Sequence, residues 1–162
     1  MTLLPIGSLA PDFVTQNQDG QSCRLSDYRG QIVVLYFYPH DNTPTCTQEA
    51  CNLRDNYAAL QAKGLAILGV STDDEKSHQK FIQKHQLPFT LLVDTNQTIC
   101  NLYGVWQLKK FMGREFMGII RTTYIIDAQG YIVDVIAKVK SQQHSEQILG
   151  SSFFVNAAIT NF

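Results

Sequence analysis

The sequence lacks the features that mark nucleic-acid-binding, membrane and exported proteins. Its 13 basic and 14 acidic residues give a net charge of −1, so no positive excess points to nucleic acid or to an anionic membrane surface. No apolar stretch approaches the roughly 20 residues that span a bilayer. Residues 1–10 contain neither a basic segment nor a long apolar core, so we expect no signal peptide. We therefore predict a cytoplasmic protein without a nucleic-acid or membrane partner.

The cysteines lack the spacing that is typical of metal sites. The chain has four cysteines but no CxxC pair, and no histidine stands at ligand spacing from such a pair. Disulfide frameworks are rare in reducing compartments, where cysteines are more often catalytic. We therefore expect no metal and no organic cofactor, and we look for a reactive thiol.

The size and composition predict one globular domain spanning residues 1–162. The chain is 44% hydrophobic and 17% charged, as in ordinary globular proteins. A domain of this length buries about two-thirds of the surface that its unfolded chain exposes, which is enough for a core.

Apolar periodicity predicts strands that alternate with helices along the chain. The predicted elements are a hairpin (13–15 and 22–25), a strand (31–38), a helix (45–63), a strand (65–71), a helix capped by Thr72 (to 85), a strand (89–93), a short helix (97–103), an irregular loop (106–118), a hairpin (122–127 and 131–137) and a helix from 142. This order predicts an α/β protein in which helices flank a central mixed β-sheet behind an N-terminal β-hairpin.

Cys46 stands where the first long strand gives way to a helix. Thr45 is a good N-cap and Gln48 completes a capping box, so we predict that Cys46 occupies the first helical position. Unpaired N–H groups and the helix dipole stabilise a thiolate there. Arg121, directly before a predicted strand, is a candidate for a nearby cation. The alternative, that Cys46 is an inert core residue, stays open on position alone.

Thr43 also has two interpretations. It could cap the helix with Pro44 at the first helical position, or its hydroxyl could hold an oxygen atom near the sulfur of Cys46.

Cys51 is close to Cys46 in sequence but out of reach on an intact helix. Residues five apart on a helix have Cα atoms roughly 8.7 Å apart, whereas a disulfide needs a separation below about 7 Å. A bond between the two therefore requires the start of the helix to unwind, and helix ends fray easily. Alternatively, Cys51 simply packs inside the helix. We expect core packing for Cys23 and Cys100.

The segment 36–51 resembles the active-site segment of peroxiredoxins. Pro39, Thr43 and Cys46 complete the P-x3-T-x2-C signature of that family, and a second cysteine five residues later is similar to the bacterioferritin comigratory protein, or peroxiredoxin Q, subfamily. Further matching segments follow in the family's order, at 10–13, 65–71, 104–106, 109–113 and 121–127. The resemblance implies a thioredoxin-like fold.

The resemblance also implies an activity, thiol-dependent reduction of hydrogen peroxide and organic hydroperoxides. Cys46 would be the peroxidatic thiolate, and Cys51 the resolving thiol that forms an intramolecular disulfide with it. Thr43 would bind the peroxide oxygens, Arg121 would stabilise negative charge, and Pro39 would shield the site. A thioredoxin-type reductant would restore both thiols, and the subfamily implies a monomer.

Thr45 departs from the family pattern, which most often has glycine directly before the peroxidatic cysteine. A β-branched residue restricts the backbone there, so we expect slower unwinding but not loss of activity. Two other functions stay open from the residues. A protein disulfide oxidoreductase would usually carry CxxC rather than this spacing. A non-catalytic redox sensor would use the same unwinding to alter a partner surface.

Overall fold

The computed structural model describes residues 2–155. The strands are β1 (Val14–Gln16), β2 (Ser22–Arg24), β3 (Ile32–Phe37), β4 (Leu65–Ser71), β5 (Thr90–Val93), β6 (Trp106–Phe111), β7 (Arg114–Ile119), β8 (Thr122–Ile126) and β9 (Ile132–Ile136). The α-helices are α1 (Pro44–Asp55), α2 (Tyr57–Ala62), α3 (Glu75–His85), α4 (Thr98–Leu102) and α5 (His144–Leu149), and short 3-10 turns lie at Leu25–Tyr28 and Ser141–Gln143.

The centre of the molecule is a five-stranded mixed sheet in the order β5-β4-β3-β8-β9. β3 pairs in parallel with β4 and antiparallel with β8, so the predicted mixed sheet is confirmed. The run that forms β3 is apolar on both faces because the sheet is covered on both sides, as expected for a central strand. The predicted N-terminal hairpin is present as β1 and β2.

Alternate residues of β3 enter two separate cores. Leu35 and Phe37 pack with Tyr103 and the N-terminal segment on one face of the sheet. Tyr36 and Tyr38 belong to the other core, which also contains Cys46 and residues of α1 and α3. The period of two in a strand separates these side chains, so the face that carries Tyr36 is also the face on which Cys46 lies.

The predicted helix of 45–63 is wrong in two respects. It begins earlier, at Pro44, because the fixed φ of proline suits the first helical position and its missing N–H is not needed there. It also breaks at Asn56, whose φ of −110° and ψ of 15° leave the helical region. The Asn56 side chain donates to the Asn52 carbonyl at 2.8 Å, a local bond that competes with helical continuation.

Two other predictions need correction. The α3 helix is capped by Asp74 rather than by Thr72, because the Asp74 carboxylate accepts from Ser77 N at 2.9 Å. Residues 106–118 are not an irregular loop, since β6 and β7 pair there as an antiparallel hairpin. Its turn places Met112 and Gly113 at φ of 50° and 77°, and a methionine at positive φ gives no turn signal in the sequence.

The C-terminal part contributes α5 to the face of the sheet that carries α1. His144, Ser145 and Ile148 of α5 are buried. The predicted helix from 142 is therefore confirmed as far as α5 extends, and residues 156–162 lie outside the described part. None of the helices within residues 2–155 has the length and apolar character of a membrane-crossing segment.

Candidate active site

Cys46 lies in the first turn of α1, at the end of β3, and its side chain is almost fully buried. It is the third helical residue rather than the first, because Thr43 is the N-cap, Pro44 the first helical residue and Thr45 the second. The sulfur is still carried by the first turn of α1, where N–H groups have no intrahelical acceptor.

Arg121 brings a permanent positive charge to Cys46 from across the fold. Its Nη2 donates to Cys46 Sγ at 3.2 Å, and its Nη1 donates to Glu49 Oε1 at 2.6 Å. Burial by itself would lower the pKa of Arg121, but the charges of Glu49 and Cys46 outweigh it and raise that pKa. The guanidinium is therefore a fixed cationic donor, and a hydrogen bond from a cation to sulfur favours the thiolate over the thiol.

Glu49 is a member of the site that the sequence analysis missed. Its carboxylate is fully buried and holds Arg121 through a charge-assisted hydrogen bond. Burial raises the pKa of Glu49 to about 7, although Arg121 opposes the rise. The spacing could have identified Glu49 from the sequence, since a residue three positions after Cys46 lies on the same face of a helix.

His144 and Thr123 complete a buried polar group behind Arg121, and the sequence analysis gave neither a role. His144 Nδ1 lies 3.2 Å from Glu49 Oε2, and Thr123 Oγ1 lies 2.7 Å from His144 Nε2. Burial lowers the pKa of His144 to about 3, and the charge of Arg121 adds to that effect, so the ring is neutral at pH 7. No local sequence pattern connects α5 with α1.

Thr43 and Pro39 both precede Cys46 along the chain. The Thr43 hydroxyl donates to the His40 carbonyl at 3.2 Å and caps no N–H group among the described residues, although Thr43 occupies the N-cap position. Pro39 is partly buried and lines a cavity of about 300 Å³. The other residues that line the cavity include Trp106, Lys109, Phe116, Met117 and Ile119.

A buried network fixes the loop between β3 and α1. Asp41 accepts hydrogen bonds from Tyr38 Oη at 2.6 Å and from Ser77 Oγ at 2.8 Å, and it contacts His78 Nδ1 at 2.7 Å. His78 Nε2 faces the Leu92 carbonyl at 2.8 Å. The loop that carries Pro39 and Thr43 is thus held by α3 and β5.

Cys51 is half-buried on the same intact helix as Cys46. All four cysteines lie within the described residues, and all are free thiols. The sulfur of Cys51 is 3.8 Å from His85 Nδ1 on α3, so it packs against the neighbouring helix rather than against Cys46. Cys23 and Cys100 are buried in the opposite core, as expected.

The arrangement is suited to a nucleophilic displacement. A buried sulfur at a helix start faces a guanidinium that can stabilise negative charge on sulfur and on an oxygen leaving group. Among residues 2–155, no three potential metal-ligating side chains come together.

The sequence matches the AhpC/TSA family over residues 6–135. Peroxiredoxin Bcp of Bacillus subtilis is 44% identical over 146 residues, which cover 90% of this chain and 93% of that protein. Peroxiredoxin Bcp of Escherichia coli is 42% identical over 149 residues, 92% of this chain and 96% of that protein.

Solved structures of the same group also match. A cysteine-to-serine variant of peroxiredoxin Q from Xylella fastidiosa superposes with a TM-score of 0.87 at 29% identity, covering 98% of this chain and 99% of that chain. The bacterioferritin comigratory protein of Xanthomonas campestris, described for its alkyl peroxide reduction, gives a TM-score of 0.82 at 30% identity over 90% and 92% of the two chains.

Proposed function

The chain belongs to the AhpC/TSA family as a peroxiredoxin of the Bcp type, a thiol-dependent peroxidase, and from that premise we propose that Cys46 is its peroxidatic residue. The observation that carries this assignment is the 3.2 Å hydrogen bond from Arg121 Nη2 to Cys46 Sγ. The substrate class is a peroxide, and the reductant is of the thioredoxin type.

In the first step, the Cys46 thiolate attacks one oxygen of the peroxide. The S–O bond forms as the O–O bond breaks, and the departing oxygen takes a proton to leave as water or an alcohol. Cysteine is oxidised to sulfenic acid and the peroxide is reduced. Arg121 stabilises the thiolate before the step and the leaving oxygen during it, and preorganised donors of this kind provide large rate effects.

Thr43 and Pro39 have supporting roles in this proposal. The Thr43 hydroxyl donates a hydrogen bond to the His40 carbonyl in the structure. Rotation about one side-chain bond would allow it to donate to a peroxide oxygen instead. Pro39 lines the cavity, and we assign to it the shielding of the sulfur from water. The apolar lining of that cavity is compatible with the hydrocarbon part of an organic hydroperoxide.

In the second step, Cys51 resolves the sulfenic acid. Its thiol attacks Cys46 sulfur, the disulfide forms, and the hydroxyl of the sulfenic acid leaves with the thiol proton as water. Because both residues lie on an intact α1, the first turns of that helix must unwind for the bond to form. A thioredoxin-type dithiol then reduces the disulfide by exchange.

The remaining assignments concern the whole protein. We propose that residues 1–162 act as one domain and as a monomer. A cytoplasmic location agrees with a cycle that needs reduced thiols, because such compartments keep cysteines reduced.

The test is peroxide consumption with a thioredoxin system for the wild type, Cys46→Ser and Cys51→Ser. We expect Cys46→Ser to lose all activity above background. Cys51→Ser should react with one equivalent of peroxide and then fail to turn over. Retention of most turnover by Cys46→Ser would exclude the proposed role, and a disulfide mapped to Cys23 and Cys100 would exclude the proposed resolving step.

A further inference from the structure

Three buried polar atoms behind Arg121 lack well-formed hydrogen-bond partners among residues 2–155. They are the Tyr36 hydroxyl, Glu49 Oε2 and His144 Nδ1. Glu49 Oε2 and His144 Nδ1 are 3.2 Å apart, and the Tyr36 and His144 ring centroids are 5.6 Å apart. Buried polar atoms are nearly always paired, so a cluster of three beside a reactive sulfur calls for an explanation.

A continuous series of contacts joins this cluster to the sulfur. Thr123 Oγ1 lies 2.7 Å from His144 Nε2, and His144 Nδ1 faces Glu49 Oε2. A carboxylate can only accept, so we assign the single proton of the neutral ring to Nδ1, and Nε2 then accepts from the Thr123 hydroxyl. The other oxygen of Glu49 accepts from Arg121 at 2.6 Å, and Arg121 donates to Cys46 at 3.2 Å. The contact between His144 Nδ1 and Glu49 Oε2 is within hydrogen-bond distance at 3.2 Å, although its angle is outside the usual range.

On the basis of the proposed peroxidase function, we propose that His144 is a positioning residue, whose Nδ1–H holds the Glu49 carboxylate in the ionised form that fixes Arg121 against Cys46. Within residues 2–155, no hydrogen bond joins His144 to the sulfur, and His144 does not line the cavity beside Pro39. It acts through Glu49 and Arg121, and Thr123 orients its ring.

The charged and titratable groups that face Glu49 come from four elements. They are Cys46 on α1, Arg121 before β8, His144 on α5 and Tyr36 on β3. Burial raises the pKa of Glu49 to about 7, so its ionisation falls in the range in which the enzyme would work. Small changes in its hydrogen bonding therefore change its charge at neutral pH.

Loss of the Nδ1–H donor has a defined consequence. A buried carboxylate that loses a donor retains its proton to higher pH. A protonated Glu49 is a weaker acceptor for Arg121 Nη1, because a charge-assisted bond is replaced by an ordinary one. The guanidinium is then less firmly held at the position from which it stabilises the leaving oxygen.

The first experiment follows the ionisation of Glu49 directly and does not depend on activity. Infrared difference spectra recorded as a function of pH show the carboxylic-acid carbonyl band, and Glu49→Gln identifies the band by its absence. We expect His144→Leu to move the midpoint upward by about one pH unit or more. His144→Asn keeps an amide N–H near the position of Nδ1, so its midpoint should return towards that of the wild type.

The second experiment separates thiolate formation from Arg121 placement, and it uses a Cys51→Ser background so that only the first step is followed. Iodoacetamide alkylation reports the thiolate alone, whereas single-turnover reaction with hydrogen peroxide also depends on Arg121. We expect the ratio of the peroxide to the alkylation rate constant to fall about fivefold at pH 7 in His144→Leu, because a midpoint that moves up by one pH unit from about 7 lowers the ionised fraction of Glu49 by about that factor. His144→Asn should recover most of the ratio.

The inference would be overturned if the infrared titration gave the same Glu49 midpoint in the wild type and His144→Leu. It would also be overturned if the ratio of the peroxide to the alkylation rate constant were the same in both proteins at every pH. Equal losses in the Leu and Asn variants with unmoved midpoints would also overturn it, since they would indicate a structural role. Should His144→Leu fail to fold, Thr123→Val removes the hydroxyl that orients the ring and should shift the midpoint in the same direction. A wild type that reduces no peroxide would refute the proposed function instead, while the infrared titration would still decide the role of His144.

Discussion

Arg121 connects the sulfur of Cys46 with the buried carboxylate of Glu49. One guanidinium nitrogen donates to the sulfur, and another donates to the carboxylate. Lysine carries the same charge but has a single nitrogen and no planar fork. The distinction between charge and geometry can therefore be tested by one substitution.

We expect Arg121→Lys to lower the second-order rate constant for hydrogen peroxide by about 100-fold, in the range found when one preorganised donor is removed from an active site. Stopped-flow measurement of the single Trp106 fluorescence gives the rate. Arg114→Lys, an exposed change on β7, is the matched control and should keep the wild-type rate. An Arg121→Lys rate within twofold of the wild type would show that charge alone is sufficient.

Glu49 should also affect stability in a pH-dependent manner. Burial raises its pKa to about 7 from the ordinary 4.5, so between these values the folded protein keeps a proton that the unfolded chain has released. The contribution of this group to the free energy of unfolding therefore falls as pH rises through that window.

Glu49→Gln lacks this ionisation. We expect the free energy of unfolding of the variant, relative to the wild type, to increase by up to about 3 kcal/mol between pH 4.5 and pH 7. Urea denaturation across that range measures the difference. The control Glu146→Gln removes an exposed carboxylate on α5 and should give a curve parallel to that of the wild type. A parallel curve for Glu49→Gln would contradict the prediction.

At the scale of elements, α1 carries the sulfur, the carboxylate and the second cysteine, and the proposed cycle needs its first turns to open. Beyond Cys51 the helix is tied to the C-terminal segment. Asn52 accepts from Ser145 N at 2.7 Å through its side chain and donates to the Gln142 carbonyl at 2.9 Å. We therefore expect unwinding to be confined to the residues before Asn52.

Thr45 is the exposed second residue of α1, so it should slow this opening. Glycine is about 0.3 kcal/mol less favourable than threonine in a helix and gains more freedom when the helix opens. We expect Thr45→Gly to accelerate disulfide formation after a peroxide pulse by roughly two- to fivefold. Acid quenching followed by mass spectrometry of the Cys46–Cys51 peptide measures this rate.

The control for that experiment is Thr98→Gly, an equivalent exposed change at the start of α4. It loosens a helix that does not unwind in the cycle, so its rate should match the wild type. Slower disulfide formation in Thr45→Gly would show that opening of α1 does not limit the resolving step.

At the scale of the whole molecule, the His78–Asp41 pair joins α3, β5 and the active-site loop. Burial alone would lower the pKa of His78, but the hydrogen bond and charge of Asp41 outweigh it, and the pKa is raised above the ordinary 6.5. The folded protein thus holds this proton more tightly than the unfolded chain. The stabilisation is fully present below pH 6.5 and is lost as pH rises through the folded-state value.

We expect the free energy of unfolding of the wild type to decline above pH 6.5 and that of His78→Gln to decline less. Thermal or urea unfolding from pH 6 to pH 9 measures the two slopes. His40→Gln, whose side chain is 65% exposed beside Asp73, is the control and should retain the wild-type slope. Equal slopes for the wild type and His78→Gln would exclude the pair as the source of the decline.

The apolar pattern along the chain was sufficient to predict the strands of the central sheet, because a strand covered on both faces must be apolar throughout, as in 31–38 and 65–71. It was insufficient for β6 and β7, most of whose residues are exposed, so no burial pattern marks them. Helix caps were also misassigned, since Thr45 and Thr72 are good caps in isolation, but the N-caps in the structure are Thr43 and Asp74.

The sequence by itself determined the central sheet, the position of Cys46 near the start of a helix and its spacing to Cys51, since each depends on residues that are neighbours along the chain. Motif matching indicated Arg121. Only the tertiary structure decided which groups surround that arginine. Glu49 and His144 are 95 positions apart in sequence yet 3.2 Å apart in space, and burial gives both their unusual proton affinities. Desolvation depends on the packing of distant elements, so no local pattern encodes it.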